Sequence, residues 1–488
     1  MITCAVLGAY GCGQREKAAD AVAPPETPMA DGAASPESGG RDVDAASSDA
    51  GHGGDGAPLT LASCAPPSAL GRGRAWTRSH PMFISALAVS AGTPPAAAVS
   101  DYFDAFKATA VHLWQTGLPS EVEGWAQSGP AAMPYVSWVN ASGESSVNGL
   151  LLGGAVPKPG RIGYQIGDEP LDLATLKQIE TSAKAVRAAD PAALVVVNFA
   201  VSIAGGDALL AYAAQVAEID VLSMDRYTYK KAAYSDLGKL RAAARDSGKA
   251  YWRYLDAYRA KNETDTTTES DFRWDAYVGA AYGFTGHTWF VYQIDGSNPD
   301  VVPLLFDAPG YSAQKTPLFA WAAQVNKELR ALGRAIVLLR SVDVRYVPAV
   351  PLLLPAGTTA WAKGAGGDPY LARVSASPSG TLRDAVLGHF RDDCEEPYVL
   401  VQNATHMGAE FPSTGDQPAT FRLELDFAGA SDPSLDRTSL VVLDPVTGLV
   451  GTRMLTKTGT SSAAIEVTLP AGGAVLFKYK TARPFVLQ

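Results

Sequence analysis

The 488-residue sequence predicts an α/β fold, a (β/α)8 TIM barrel followed by a C-terminal antiparallel β-sandwich. Three observations predict it. Eight short β-branched or aromatic runs follow one another from Met82 onward, with amphipathic segments between most of them. Together they fill about 250 residues, the dimension of such a barrel. From about Val342 the texture changes to short alternating runs separated by Gly, Pro, Asp and Ser, the pattern of antiparallel strands.

In chain order the eight runs are Phe83–Ser90, Ala110–Gln115, Pro134–Asn140, Arg161–Gly167, Leu194–Ala200, Asp220–Tyr227, Ala250–Tyr258 and His287–Gln293. Helical spacing fits Ala208–Ala217, Asp236–Ser247, Asp271–Tyr282 and Pro317–Leu339. Strand alternating with helix argues for parallel pairing. A doubly wound open sheet is the competitor, but no Gly-rich phosphate loop follows the first run. Gly205-Gly206 and Gly364–Gly367 lack the spacing and the strand-turn-helix context. Later strands are expected at Tyr398–Gln402, Phe421–Phe427, Ser439–Leu443, Ala464–Leu469 and Ala474–Tyr479. The expected domains are thus a signal segment at 1–12, a linker at 13–65, the barrel at 75–340 and the sandwich at 341–488. The sandwich is expected to support the barrel by packing, or to bind carbohydrate separately.

The net charge of -10 is modest for this length, and Lys and Arg are scattered, which argues against a nucleic-acid partner. No stretch approaches the ~20 apolar residues of a membrane span. Met1–Cys12, a short apolar segment ending in small residues before a cysteine, resembles a bacterial lipoprotein signal. It departs in having no Lys or Arg before the apolar run and a bulky Tyr10. The resemblance implies lipidation at Cys12 and an envelope or extracellular location; a short cytosolic leader is the alternative. Residues 17–60, rich in Ala, Gly, Ser, Pro and Asp, cannot bury enough surface to offset their ordering entropy and read as a disordered tether. Cys64 and Cys394 can form one disulfide in an oxidising compartment, or remain two buried thiols. No Cys/His spacing suggests zinc, and neither metal nor cofactor is expected. Asp392-Asp393-Cys394-Glu395-Glu396 reads as a structural calcium loop or as a solvated acidic loop.

Function is most legible in Gly163-Tyr164-Gln165-Ile166-Gly167-Asp168-Glu169-Pro170. An apolar strand ends in two adjacent carboxylates, and Pro170 suits the first turn of a helix running from Leu171 to about Arg187. The carboxyl end of a barrel strand is where such folds keep their active sites. The alternative is that Asp168 and Glu169 only complement the positive end of the helix dipole. Other strand ends carry Trp114 and Gln115, Trp138 and Asn140, Asn198, then Asp225, Arg226, Tyr227 and Tyr229. They continue with Trp252, Tyr254, Asp256 and Tyr258, and with Trp289, Tyr292 and Gln293. Flat indole and phenol rings match the C–H faces of sugars, and carboxylates and amides match hydroxyl pairs. Any single ring could instead be core.

On these residues the chain resembles the clan A glycoside hydrolase superfamily, over roughly residues 80–340. The likeness lies in Asp168-Glu169-Pro170 at the fourth run, in Val221-Leu222-Ser223-Met224-Asp225-Arg226-Tyr227, and in Glu269–Trp274 followed by Ala281–Gly286 and the aromatic eighth run. The resemblance implies a barrel whose acid/base glutamate ends strand four, at Glu169, with Asp168 where the family commonly has Asn. It also implies a nucleophilic glutamate ending strand seven. Here the chain departs, because Asp256 is the only carboxylate within Ala250–Tyr258.

Hydrolysis of a glycoside ordinarily needs one protonated and one ionised carboxyl flanking the scissile bond. The expected assignment is Glu169 as general acid, with Asp256 first and Asp225 second as its partner. Trp114, Trp138, Asp168, Asn198, Tyr227, Trp252, Tyr254, Trp289 and Tyr292 are expected to bind a poly- or oligosaccharide. A non-catalytic glycan-binding lipoprotein on the same barrel, and an envelope protein with no glycan role, are the other readings. The loops Ala141–Pro159 and Arg259–Ser270 carry no readable signature.

Overall fold

The computed structural model describes residues 64–488 outside 67–68, 90–93, 116–123, 126–127, 131, 140–158, 202–204, 228–232, 262–266, 295, 297–300, 351–352, 378–382 and 407–416. The expected signal segment at 1–12 and the linker up to residue 63 lie outside the described residues, as do Asn140 and Tyr229.

Eight parallel strands close into a barrel in chain order: β1 (Phe83–Val89), β2 (Val111–Gln115), β3 (Tyr135–Val139), β4 (Arg161–Asp168), β5 (Leu194–Phe199), β6 (Val221–Met224), β7 (Ala250–Asp256) and β8 (Gly286–Ile294). Each expected strand is present, with small shifts at its edges; β6 stops at Met224 rather than Tyr227. Tyr258–Ala260 leaves the wall to pair with Val301–Pro303 in a separate antiparallel ribbon.

Alternation along the strands divides inside from outside. Inward-facing Phe83, Ala110, Val136, Leu194, Val196, Val221, Ala250 and Trp252 form one buried apolar cluster. Trp76, on helix α1 (Arg72–Ser79), packs against it. Trp252 stacks on Phe83 with ring centroids 4.1 Å apart. Gly286 makes room for the indole, since a Cβ there would come within 2.4 Å of the Trp252 ring. Truncating a buried Trp to Ala costs about 3–5 kcal/mol, so this floor is a main source of barrel stability. Nearer the carboxyl ends the interior turns polar. Ser85 bonds Thr288 at 2.9 Å, and Tyr254 donates to Gln165 at 2.8 Å.

Outward residues of β5 and β6, among them Val195, Val197, Phe199, Leu222 and Met224, pack under the helices. Helices α2 (Ala96–Ser100) and α3 (Leu173–Ala189) are followed by α4 (Gly206–Gln215), α5 (Ala233–Asp246), α6 (Glu269–Tyr282) and α7 (Pro317–Ile336). Helix α3 buries Leu176, Ile179, Ala183 and Val186, one face at helical spacing, and stops at Asp190 before Pro191. Helix α6 differs: every residue from Ser270 to Tyr282 is buried. A Thr268–Asp271 capping box starts it, and Gly283 ends it at φ 87°.

The burial of α6 follows from what covers it. Residues from 340 onward form two antiparallel sheets. The first has the order β9 (Arg340–Val347), β11 (Ala385–Arg391), β12 (Pro397–Asn403), β18 (Ala474–Tyr479), β14 (Ser439–Leu443), β15 (Val450–Met454). The second runs β10 (Leu371–Ser377), β13 (Ala419–Asp426), β17 (Ser462–Leu469), β16 (Thr456–Lys457). Leu387, Val399, Val401, Val442 and Phe477 of the first sheet share one buried cluster with Val374, Phe421, Leu423, Ile465 and Val467 of the second. Helix α6 packs against both β7 and the first sheet. Gln402 Nε2 donates to the Trp274 carbonyl at 3.1 Å, and His406 stacks on Trp274 at 4.4 Å. Barrel and sheets thus belong to one compact unit, Ser63–Gln488.

Cys64 and Cys394 are bonded, with Cα atoms 5.2 Å apart. Of the two expectations for these cysteines, the pair is the one that forms. The acidic run beside Cys394 is held by ion pairs. Asp393 pairs with Arg78, Glu395 with Arg340 at 2.6 Å, and Glu396 with buried Lys478 at 2.9 Å.

The disulfide closes a segment with a sequence separation of 330, so it removes much chain entropy from the unfolded state. Cys394→Ser should lower unfolding stability by about 2–4 kcal/mol. The measurement is the denaturation midpoint of parent and variant, with reductant bringing the parent to the variant's value.

Candidate active site

The site begins with the backbone at the end of β4. Gly167 sits at φ 79° and Glu169 at φ 44°, both in the left-handed region. A side chain at 167 would collide with Ile179 of α3, whose Cδ1 would lie 2.3 Å from the added Cβ. The β4–β5 register slips between Gln165 and Asp168, so that Asp168 pairs with Asn198. The Glu169 N–H donates to the Asn198 carbonyl at 2.9 Å. Left-handed backbone costs a glutamate about 1–2 kcal/mol, and the turn spends that energy on bringing adjacent carboxyls to the barrel mouth.

Helix α3 starts later than the sequence suggests. Its cap is Asp172, whose carboxylate accepts the Thr175 N–H at 2.7 Å, and its first residue is Leu173. Pro170 therefore does not occupy the first helical turn, and Leu171 lies outside the helix and is 68% exposed. Asp172 meets the orphan N–H groups and the positive helix end. Asp168 and Glu169 are left for other work.

Three carboxyls meet here. Asp225, just beyond β6, is 8% exposed and shares a side-chain hydrogen bond with half-buried Glu169. Asp168 Oδ1 accepts from Asn198 Nδ2 at 2.9 Å and from Gln165 Nε2 at 3.3 Å. Burial pushes the Asp168 carboxyl up to about 7, the charge of Glu169 adds to the rise, and the Asn198 hydrogen bond opposes it. Burial raises Glu169 too, with the bond to Asp225 pulling the other way. Asp225 is held well above the usual carboxylate range by burial, then by the charges of Glu169 and Asp168. Three partly or fully buried carboxyls that raise one another in this way resist ionising together.

Beside the carboxyls stands an aromatic wall. Tyr227 lies 5.2 Å from Tyr258 and 5.3 Å from Phe290, and Tyr258 and Phe290 are 5.0 Å apart, all between ring centroids. Phe290 is in register with Asp256. Asp256 ends β7, 7% exposed; its N–H donates to Asp275 Oδ2 at 3.2 Å and its Oδ1 accepts the Tyr258 N–H at 3.3 Å.

The structure thus gathers Asp168, Glu169, Asn198, Asp225 and Tyr227, and puts Tyr254 directly behind them. It sends others elsewhere. Trp289 faces out of the barrel, fully buried, with Nε1 donating to Asn326 of α7 at 2.8 Å. Tyr292 packs edge-on against Tyr102 at 4.7 Å in the same outer core. Trp289 has the outward parity of β8: Gly286 must face inward beneath Trp252, which sets Phe290 rather than Trp289 toward the mouth, whereas Tyr292 lies past the register shift between β1 and β8 and turns to the outer core. Trp252 itself belongs to the apolar floor. Trp138 is buried in register with Gln165. The side chain of Trp114 lies outside what the structure describes. Sequence reasoning missed Gln165, His112 and Phe290. The inward alternation of Gln165 with Gly163 and of His112 with Ala110 was the available signal.

No family model matches the chain, and no curated protein does. Among solved structures it is similar to a protein described as a glycoside hydrolase, at 13% identity over 83% of this chain and 94% of that one, TM-score 0.49. A family 5 glycoside hydrolase from Bacteroides vulgatus gives 12% identity over 83% and 90%, TM-score 0.49. A family 30 endoxylanase from Clostridium papyrosolvens gives 12% over 82% and 96%, TM-score 0.42. At such identities chemistry has to be read from the residues of this chain.

Two outcomes are expected of the site. A carboxyl raised in the fold adds stability below its unfolded value near 4 and loses it as pH climbs through the folded value. The stability of the parent relative to Asp168→Asn should therefore fall between about pH 4 and about pH 7, by up to about 1.4 kcal/mol per unit for each proton released. Urea midpoints across that range test it. Glu169→Gly should unfold at a temperature no lower than the parent, because glycine accepts φ 44° without the Cβ clash and removes a crowded charge. A clear drop in calorimetric Tm would refute the strain.

Proposed function

We propose that the chain is an O-glycosyl hydrolase acting on a poly- or oligosaccharide, with Glu169 as general acid. The observation that carries this reading is the pairing of half-buried Glu169 with buried Asp225, both raised by burial, beside the wall of Tyr227, Tyr258 and Phe290. Burial raises Glu169 in the direction a general acid requires. In this reading Glu169 delivers a proton to the leaving glycosidic oxygen, and Asp168, with two amide donors on one oxygen, is the neighbouring carboxyl placed to carry negative charge.

The second carboxylate in this reading is Asp256. Its support is the inward alternation of Trp252, Tyr254 and Asp256 on β7, and the anchoring of its N–H by Asp275. Asp225 fits that role less well. Hydrogen-bonded carboxyls stand closer than the about 5–5.5 Å of a retaining pair or the about 6.5–9.5 Å of an inverting one. We further propose that the two C-terminal sheets form a β-sandwich that supports the barrel through α6. An envelope or extracellular location, with a lipid anchor at Cys12, completes the proposal; the Cys64–Cys394 bond supports an oxidising compartment.

A second reading, a non-catalytic glycan-binding lipoprotein, is favoured by the end of β7, where Asp256 stands in place of the glutamate that the resemblance implies. Reducing-sugar release from a polysaccharide panel, run beside affinity electrophoresis, separates the two; binding without release supports the second. Under the first, Glu169→Gln should cut turnover of a natural glycoside by about 10²–10⁴-fold at an unchanged urea midpoint. Retention of more than a few per cent of parent activity (a retained turnover above the low end of about 10²-fold loss) would remove Glu169 from the role.

A further inference from the structure

The polar tier inside the barrel, just under the carboxyls, is not explained by packing. Four side chains from four strands form one line. Asn198 Nδ2 and Gln165 Nε2 both donate to Asp168 Oδ1, at 2.9 Å and 3.3 Å. The other end of the Gln165 amide accepts from the Tyr254 hydroxyl at 2.8 Å. Behind Tyr254 stands His112, its Nδ1 at 3.4 Å from the phenol oxygen. Gln165, Tyr254 and His112 are 0%, 3% and 1% exposed, so solvent has little part in orienting them.

We propose that Gln165, Tyr254 and His112 are positioning residues that set the polarity of the hydrogen bond at Asp168, and so decide which of the three mouth carboxyls holds the negative charge.

An amide has a donor end and an acceptor end, and a buried amide turns to suit its neighbours. Tyr254 donates its one proton to Gln165 Oε1, which leaves the NH2 end for Asp168. A carboxylate facing that NH2 is favoured ionised; a carboxylate facing the carbonyl end is favoured protonated. The tyrosine can hold this direction because it has somewhere to accept from. Burial keeps His112 neutral, with its ring pushed down to about 3, so one ring nitrogen carries a proton and the other does not. Among the described residues His112 Nε2 is buried with no hydrogen-bond partner. The proton therefore belongs on Nδ1, pointing at Tyr254. Direction passes from β2 to β7 to β4 without any proton being transferred.

The groups facing Asp168 bear on the same charge. They are Glu169 on its own turn, Asn198 from β5, Asp225 and Tyr227 beyond β6, and Tyr254 with His112 behind it. Of these, Glu169 raises the cost of ionising Asp168 and the Asn198 bond opposes it. Both amides donate to Asp168 Oδ1, and among the described residues Gln165 has its orientation set from within the barrel by Tyr254. The inference concerns charge placement and stands whether or not the substrate is a glycan.

The test needs no substrate. Urea midpoints between about pH 4 and about pH 9 are measured for the parent, Tyr254→Phe, Asp168→Asn and the double variant, since folded carboxyl values are read from the pH range where stability is lost. Losing the tyrosine proton frees the amide to turn, so the fall in stability with pH should extend upward by about one unit in Tyr254→Phe. In the Asp168→Asn background the same substitution should leave the shape of the profile unchanged. A purely structural tyrosine would lower the midpoint equally at every pH, and either that result or the same shift in both backgrounds overturns the proposal. Gln165→Leu, which deletes the amide and keeps the bulk, is the second variant should Tyr254→Phe not fold; it should show the same upward extension, and a profile parallel to the parent overturns the proposal as well.

Discussion

Crowding of three carboxyls at one edge of the barrel is the constraint around which the rest is arranged. Asp168 and Glu169 are adjacent in the chain, and Asp225 reaches them from a strand two positions round. Such a group does not persist on local preference. Glu169 keeps a left-handed backbone because its N–H is held by Asn198 and because Gly167 lets Ile179 of α3 close over the turn. Taking charged groups partly out of water and bending the backbone against its preference both cost stability. The packing of α3 and the apolar floor under Trp252 offset that cost elsewhere, a division common where geometry serves chemistry.

The barrel interior has two tiers with different tasks. The lower tier, Phe83, Val136, Val196, Val221 and Trp252, is apolar and close-packed, and Trp76 seals it from below. The upper tier is polar and linked by hydrogen bonds from Asn198 and Gln165 to Asp168 and from Tyr254 to Gln165, so these members have few alternative arrangements. A rigid apolar floor gives the polar tier fixed positions, and the polar tier in turn fixes the electrostatics of the mouth.

Helix α6 extends this dependence to the C-terminal sheets. Because sheets cover the side that a barrel helix normally shows to water, its polar residues are buried and each has a partner. Asp271 meets His406 at 2.7 Å, Arg273 meets Glu328 at 3.2 Å, and Asp275 pairs with Arg253 of β7. Asp275 also takes the N–H of Asp256. The C-terminal sheets therefore bear on the mouth through one helix, since disturbing the covered face of α6 would disturb the ion pair that anchors the end of β7. Unpaired buried charges cost far more than the pairs contribute, so these residues act as a set.

Much of the fold was legible along the chain. The eight barrel strands, α3, α4, α5, α6 and α7 and the last strands of the C-terminal sheets are declared by short-range periodicity, which depends only on which face of an element is buried. Asp168, Glu169 and Asp225 were legible for a similar reason, since strand ends of a parallel barrel converge whatever the loops do. What failed was anything set by a partner far away in sequence. The parity of β8 depends on Gly286 lying opposite Trp252, and so Trp289 turns out while Phe290 turns in; Tyr292 is turned out past a register shift against β1 that nothing local in the sequence announces. Helix α3 yields its start to Asp172 because the turn at Gly167–Glu169 uses the intervening residues. Residue type and spacing by themselves determined the elements, their order and the presence of acids at the mouth. Only tertiary contact decided which carboxyls crowd together and which rings face them, because hydrogen-bond direction and ring orientation depend on neighbours that the chain brings together only when it closes.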